Sequence, residues 1–205
     1  MLGTWDHLTV SVKMVLVNGL AGMIFGGCQS LQHLIRCSMP ERPLLSADVG
    51  GFFGNPEPDM LVRWYQVGAF APFFRAHAHI DTKRREPFLL DEPYKGIVKD
   101  VLRLRYSLLP VWYTAFRAAT INGVPVLRYG SPSCIESSNR RKLASRPHYV
   151  VFPHHKAGFS IDDQYFIGDS GLLVKPITEK DVTEASVYLS EDRVRSFLYG
   201  TRPCQ

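Results

Sequence analysis

The sequence predicts an α/β fold whose strands form a parallel sheet. Two observations carry the prediction: short apolar runs sized for buried strands, and longer segments of helical periodicity between them. A third, a loss of helical pattern toward the C-terminus, predicts a second architecture there. Residues 8 to 18 read as a short amphipathic helix that Gly19 breaks. Ala21 to Phe25 then suits a strand buried on both faces, ended by Gly26 and Gly27. Asn55 is placed to N-cap a helix with Pro56 at its first position, and Leu61, Trp64, Tyr65 and Gly68 recur at the i, i+3, i+4, i+7 spacing of one inward face. From Pro93 to Thr120 the apolar positions Tyr94, Ile97, Val98, Val101, Leu102, Leu108, Leu109, Trp112 and Phe116 are helical. Pro110, lacking a backbone donor, is expected to kink or split that segment. Asn122-Gly123 ends it, and Val124 to Leu127 is a short buried strand. After Asp162-Asp163-Gln164-Tyr165, the segments Gly171 to Pro176 and Ala185 to Leu189 favour strands with no long helix between them, which sets a domain boundary near residue 165.

A composition of 45% hydrophobic and 21% charged residues in a chain of 205 is that of an ordinary globular protein able to bury a core. The formal charge of +5 raises a polyanionic partner. Its densest runs, Lys83-Arg84-Arg85 and Arg140-Arg141-Lys142, are not interleaved with aromatic residues, so they read as solvated faces and no nucleic-acid partner is expected. Cys28, Cys37, Cys134 and Cys204 form no CxxC pair and no zinc spacing. No apolar run is long enough to span a membrane, so no membrane partner is expected. The N-terminus shows no signal-peptide pattern, and any secretory signal is expected upstream of Met1.

The motifs that carry chemistry are Trp5-Asp6-His7-Leu8, Ala47-Asp48-Val49-Gly50-Gly51-Phe52-Phe53 and Pro72-Phe73-Phe74-Arg75-Ala76-His77. Two long runs accompany them, Leu61-Val62-Arg63-Trp64-Tyr65-Gln66 and Arg105-Tyr106-Ser107-Leu108-Leu109-Pro110. In this order the segments resemble glycoside hydrolase family 31 over roughly residues 2 to 27, 47 to 128 and 147 to 192. The resemblance implies the C-terminal part of an eight-fold (β/α)8 TIM barrel over residues 1–165, then the start of a β-sandwich over 166–205, atypical from 193 to 205. A complete barrel needs about 250 residues, so this chain could supply only part of one.

Two stretches, 28–46 and 129–146, have no counterpart in the family as it is resembled here. Joining Gly27 to Ala47 restores Phe-Gly-Gly-Ala-Asp-Val-Gly-Gly-Phe, and joining Arg128 to Pro147 restores Pro-Val-Leu-Arg-Pro-His-Tyr. Both are expected to be translated introns, which sequencing of the transcript would decide. A longer surface loop costs only about one or two kcal/mol, but the first stretch is expected to detach Asp48 from the strand ending at Gly27.

Retaining glycosidases use two carboxyl groups about 5 to 5.5 Å apart, one attacking the anomeric carbon and one protonating the leaving oxygen. In the resembled family the nucleophile lies in a Trp-x-Asp-Met-Asn-Glu run, absent between Met1 and Gln205, and the acid in a Gly-Asp-Asn run ahead of the segment matching Leu2 to Leu8. No catalytic residue is therefore assigned. The resemblance implies substrate-binding residues instead: Asp48 accepting from glucose hydroxyls, His77 donating to one and Phe52 forming an apolar wall. Arg75, in the same set, is read as pairing with an acidic neighbour to stiffen the loop ahead of direct sugar contact. These roles suit the residue types, since a carboxylate accepts from vicinal hydroxyls and an imidazole donates at one nitrogen.

Taken without the family, Asp48 beside Gly50-Gly51 reads as a turn aspartate capping local donors. His77 and His79, spaced to share a strand face, lack a third ligand for a metal. Asp6 and His7 read as caps of the helix near Leu8, with Trp5 packing beneath it. Asp162 and Asp163, being adjacent, should point to opposite faces. The resemblance implies a retaining α-glucosidase acting on glucose-terminated glycans without metal or organic cofactor. It further implies residence in the endoplasmic-reticulum lumen and a lectin-like beta subunit as partner. The alternative is a non-catalytic carbohydrate-binding fragment.

Overall fold

The structure, a computed structural model, describes residues 2–20, 25–26, 44–45, 48–122, 126–128, 161, 163–168, 170–182 and 184–189. Helix α1 spans Trp5–Leu20 and is followed by strands β1, Phe25–Gly26, and β2, Leu44–Leu45. Helix α2 spans Pro58–Gly68, a 3-10 turn covers Pro87–Leu89, and helices α3, Tyr94–Ser107, and α4, Leu109–Asn122, follow. Strands β3, Leu127–Arg128, β4, Tyr165–Ile167, and β5, Leu173–Val174, complete the order.

Helix α1 starts earlier and ends later than periodicity alone suggests. Thr4 sits at its N-cap, its Oγ1 accepting from the His7 amide at 3.4 Å and contacting His7 Nδ1 at 2.7 Å, so Thr4 and not Asp6 or His7 caps it. Gly19 stays helical, since one glycine costs a helix only about 1 kcal/mol and does not force a stop. Helix α2 likewise departs from expectation at its start. Pro58 biases Glu57 to extended backbone, found at ψ 156°, so the helix begins at Pro58 and Glu57 takes the cap position expected of Asn55. Asn55 instead accepts the Lys83 amide at 2.7 Å. The expected inward face holds: Leu61, Trp64, Tyr65 and Gly68 are all buried.

The long helical segment splits at Leu108, and Pro110 falls in the first turn of α4, where no intrahelical donor is needed. Val98 and Val101 of α3 and Trp112 and Ala115 of α4 face inward, whereas Leu109, placed by periodicity with the inner positions, is 46% exposed. Helix α4 ends at Asn122, as the Asn-Gly pair suggested.

Two apolar clusters organise the packing. One gathers Leu8, Val49, Leu61, Trp64, Tyr65, Val98 and Val101. The other gathers Val12, Trp112, Val126, Leu127, Tyr165, Ile167 and Val174. Helix α1 feeds both, with Leu8 in the first and Val12, one turn on, in the second; Val67 and Phe70 pack against both. Strands β1 and β2 pair in parallel, with Phe25 opposite Leu44 and Gly26 opposite Leu45. Strand β2 lies inside the stretch 28–46, so the chain returns to the sheet beside β1 just before Asp48. Along the chain Asp48 therefore follows β2 and not β1.

The second sheet departs from the parallel pattern. Strands β3, β4 and β5 pair antiparallel, with Leu127 opposite Ile167 and Tyr165 opposite Val174. The β4–β5 connection is short and contains Gly168 and Gly171 at φ 53° and 75°, so it closes a hairpin, which only antiparallel strands permit. Residues 185–189 form no strand. Gln164 holds them instead, its Nε2 donating to the Tyr188 carbonyl at 2.8 Å and its Oε1 accepting the Tyr188 amide at 3.1 Å. The four cysteines, Asp162, the run 140–142 and the stretch 129–146 lie outside the described residues.

Candidate functional site

Asp48 follows β2 at the carboxyl end of a parallel pair, the edge at which open α/β sheets place their ligand sites. The Gly51 amide donates to the Asp48 carbonyl at 2.9 Å, so backbone closes the turn and the side chain is left for other work. Gly50 and Gly51 stand at φ 88° and 75°, conformations that residues with a Cβ rarely adopt. At Gly51 a Cβ would also lie 2.7 Å from the Leu2 carbonyl carbon and oxygen.

The Asp48 carboxylate is 3% exposed and, among the described residues, is gripped on one oxygen. Arg75 donates to Oδ1 from Nη2 at 2.7 Å and from Nε at 3.1 Å, which is the pairing expected of Arg75. Among the described residues nothing donates to Oδ2, although that atom is buried too. A buried carboxylate oxygen without a donor costs about 1–3 kcal/mol or more, so the position calls for a donor from outside this set of residues.

Phe52, three residues after Val49 in the same loop, packs against both histidines of the next. Its ring centroid lies 5.4 Å from His77 and 5.7 Å from His79, while Phe53 meets His79 at 5.3 Å. The two loops are tied through backbone, Val49 N donating to Arg75 O and His79 N to Phe52 O, each at 2.9 Å. The residues 2–3 join them, with Gly3 N donating to Phe53 O at 3.0 Å and a parallel bridge between Leu2 and Phe53. The four residues singled out in the sequence thus occupy one place: Asp48 and Arg75 in direct contact, Phe52 and His77 in direct contact, and the two pairs linked by the loop backbones. His79 turns to Asp81, Nδ1 to Oδ2 at 3.1 Å. Among the described residues no cluster of three or more His, Cys, Asp or Glu is placed to share a metal ion.

Two arginines that hold these loops were not recognised from the sequence. Arg85, assigned there to a solvated charge run, is half-buried under the turn after Asp48. It donates to Gly50 O at 2.8 Å, to Gly51 O, and to His77 O at 3.3 Å. Lys83 is exposed as expected, and Arg84 pairs with Glu86 on the surface at 2.7 Å. Burial pushes the Arg85 guanidinium below its ordinary pKa, with Tyr65 and Asp48 acting in the opposite direction.

Arg105 donates to the carbonyls of Ala69, Ala71 and Pro72 at 2.9, 2.7 and 3.1 Å, and its guanidinium lies 4.4 Å from the Trp112 ring centroid and 5.7 Å from that of Phe74. Burial lowers its pKa to about 10. A readable signal existed here, because Arg105 continues the i, i+3, i+7 stripe of Val98 and Val101 and so places a cation on the apolar face of α3. Tyr165 reaches the same turn from β4, its hydroxyl donating to Phe70 O at 3.0 Å.

Comparison with known proteins matches residues 28–115 to the model of the glycosyl hydrolases family 31 TIM-barrel domain and residues 142–202 to that of the glycosyl hydrolase family 31 C-terminal domain. The chain is 44% identical over 191 residues to glucosidase 2 subunit alpha of Schizosaccharomyces pombe, a match covering 93% of this chain and 17% of that protein. It is similar in fold to the solved glucosidase II alpha subunit in its Glc1Man2-bound form, with a TM-score of 0.69 and 45% identity over 92% of this chain and 16% of the other. A second solved structure, an ER glucosidase II heterodimeric complex of catalytic subunit and the binding domain of a regulatory subunit, gives a TM-score of 0.66 and 47% identity over 89% and 16%. The chain therefore spans about a sixth of the length of the relatives it matches. These likenesses support an α/β fold of the TIM-barrel type.

Proposed function

We propose, since this chain belongs to glycoside hydrolase family 31, that its loops form the sugar-gripping wall of a retaining α-glucosidase. Residues 1–165 are then the C-terminal part of the barrel and 166–205 the start of a β-sandwich. The observation that carries this reading is the Asp48 carboxylate, buried, fixed by Arg75 through one oxygen and, among the described residues, left without a donor on the other. Two vicinal sugar hydroxyls supply the donors such an oxygen lacks. Phe52 offers aromatic surface to the apolar face of a pyranose, and His77, packed against Phe52, offers a ring nitrogen to a further hydroxyl.

The whole enzyme on this reading hydrolyses terminal α-linked glucose and trims N-glycans as glucosidase II, in the endoplasmic-reticulum lumen. Its substrate is a glucose-terminated oligosaccharide and its partner a lectin-like beta subunit. The likeness to proteins named glucosidase II alpha subunit and to the heterodimeric complex supports this. The isolated chain is a different matter. It carries no Trp-x-Asp-Met-Asn-Glu run, so the carboxylate that would attack the anomeric carbon is missing, and no turnover is expected from it.

Two measurements test the reading on the purified chain. An aryl α-glucoside should release no aryl alcohol above background, and titration calorimetry with an iminosugar analogue of glucose should show binding. Turnover would overturn the assignment of missing catalytic carboxylates. A folded chain that binds no glucose analogue would overturn the sugar wall, whereas binding without hydrolysis fits the chain as a carbohydrate-binding segment.

A further inference from the structure

Asp48 and His77 sit on separate loops, and the chemistry proposed for them needs a fixed separation. Arg75 joins the loops by its side chain, but in doing so it occupies Asp48 itself. Arg85 touches neither functional side chain and joins the backbones instead. Its Nη1 donates to Gly50 O at 2.8 Å, and its Nη2 donates both to Gly51 O and to His77 O, the latter at 3.3 Å. Gly50 leaves room for it, since a Cβ there would lie 3.2 Å from Arg85 Nη1 and 2.8 Å from Leu61 Cδ1. The guanidinium thus fills the face that glycine leaves open, with α2 behind it. The segment that carries Arg85 is itself anchored, by the Lys83 amide on Asn55 Oδ1 at 2.7 Å.

We propose that Arg85 is a positioning residue of the sugar site: by donating to Gly50, Gly51 and His77 carbonyls at once, it sets the separation between the loop bearing Asp48 and the loop bearing His77. The proposal rests on reading Asp48 and His77 as sugar ligands. Arginine is required by geometry, because a planar fork reaches carbonyls on two loops whereas an ammonium is a single point of charge on a flexible stem.

The test uses the full chain as wild type, Arg85→Gln and Arg85→Lys, with two readouts. Amide hydrogen exchange is followed at Val49 and His79, whose N–H groups cross between the loops, with the Val98 amide inside α3 as internal control. Affinity for deoxynojirimycin is measured by calorimetry. Arg85→Gln is expected to speed exchange at Val49 and His79 by about tenfold, the worth of the one bond, to His77 O, that reaches the second loop, with Val98 unchanged, and to weaken the iminosugar by about tenfold. Arg85→Lys should recover part of both, and it carries the test alone if the glutamine variant does not fold.

Wild-type exchange at Val49 and His79 in a folded variant would overturn the proposal, whatever the sugar does. Faster exchange with wild-type affinity would also overturn it, since the loops would then be loosened without consequence for the ligands. If the wild-type chain itself binds no iminosugar, the sugar-site reading fails separately. Accelerated exchange would then still uphold Arg85 as the residue that sets the loop separation, and unchanged exchange would dismiss it.

Discussion

Replacing Gly51 by alanine should destabilise the chain well beyond what the same change does at Gly54, three residues on. Both glycines have left-handed backbone, φ 75° and 82°, so an L-residue at either pays about 1–2 kcal/mol of local strain. Both substitutions also restrict the unfolded chain alike, an offset of about 0.4–1 kcal/mol that cancels in the comparison. The sites differ in space. A Cβ at Gly54 meets nothing nearer than Gly3 N at 3.9 Å, whereas at Gly51 it lies 2.7 Å from the Leu2 carbonyl carbon and oxygen and 2.8 Å from Gly3 N. Those are backbone atoms, unable to swing aside as a side chain could.

Relief at Gly51 requires residues 2–3 to shift, at the overpacking cost of about 1–3 kcal/mol. The shift also loosens the Gly3 N to Phe53 O bond beside Phe52. Urea unfolding followed by tryptophan fluorescence should therefore place Gly51→Ala about 1–3 kcal/mol below Gly54→Ala, with equal m-values. Equal midpoints for the two variants would refute the close packing of the N-terminal segment on the Asp48 turn.

Asp48→Asn keeps the shape of the side chain while removing its charge. Sugar affinity should fall about ten- to hundredfold, the worth of hydrogen bonds to a charged acceptor, as read by calorimetry. Stability should fall by only about 1 kcal/mol, because Arg75 is 38% exposed and solvent screens it. Arg105→Met strips three carbonyls of their donor and is expected to cost about 2–4 kcal/mol in urea unfolding; Arg105→Lys should recover less than half, since a lysine cannot satisfy all three while stacking on Trp112.

Tyr65→Phe should be neutral or stabilising by up to about 1 kcal/mol, because the Tyr65 hydroxyl is buried with no partner among the described residues. Burial also raises the Tyr65 pKa, so the folded state holds its proton more tightly than the unfolded one. The stability this confers is whole below about pH 10 and drains away as pH rises through the folded value. Thermal melts from pH 9 to 11 should show a shallower alkaline decline in Tyr65→Phe than in wild type.

Patterns of one turn or a few residues were legible in the chain, because they depend on neighbours close in sequence. The inward stripe Leu61, Trp64, Tyr65, Gly68 follows from helical periodicity, and the break near Pro110 from a missing donor. The candidate site was legible through its motifs, and Arg75 was matched to an acidic partner before any geometry was known. What failed had a physical cause in each case. The start of α2 was misplaced because Pro58 governs the backbone of Glu57 more strongly than Asn55 favours a cap. The direction of β3 was misjudged because it pairs with a strand 38 residues away, Arg128 opposite Phe166, and no local pattern encodes that choice.

Residue type and spacing along the chain suffice to show which helical faces turn inward and which polar side chains the loops carry. Folding in three dimensions is what divides Lys83-Arg84-Arg85 into two solvent-facing residues and one that clamps loop carbonyls, and what brings Arg105 to a turn more than thirty residues away. An arginine's role depends on which carbonyls come within hydrogen-bonding distance, and that is set by long-range packing of α2, α3 and the loops, which the order of residues along the chain does not display.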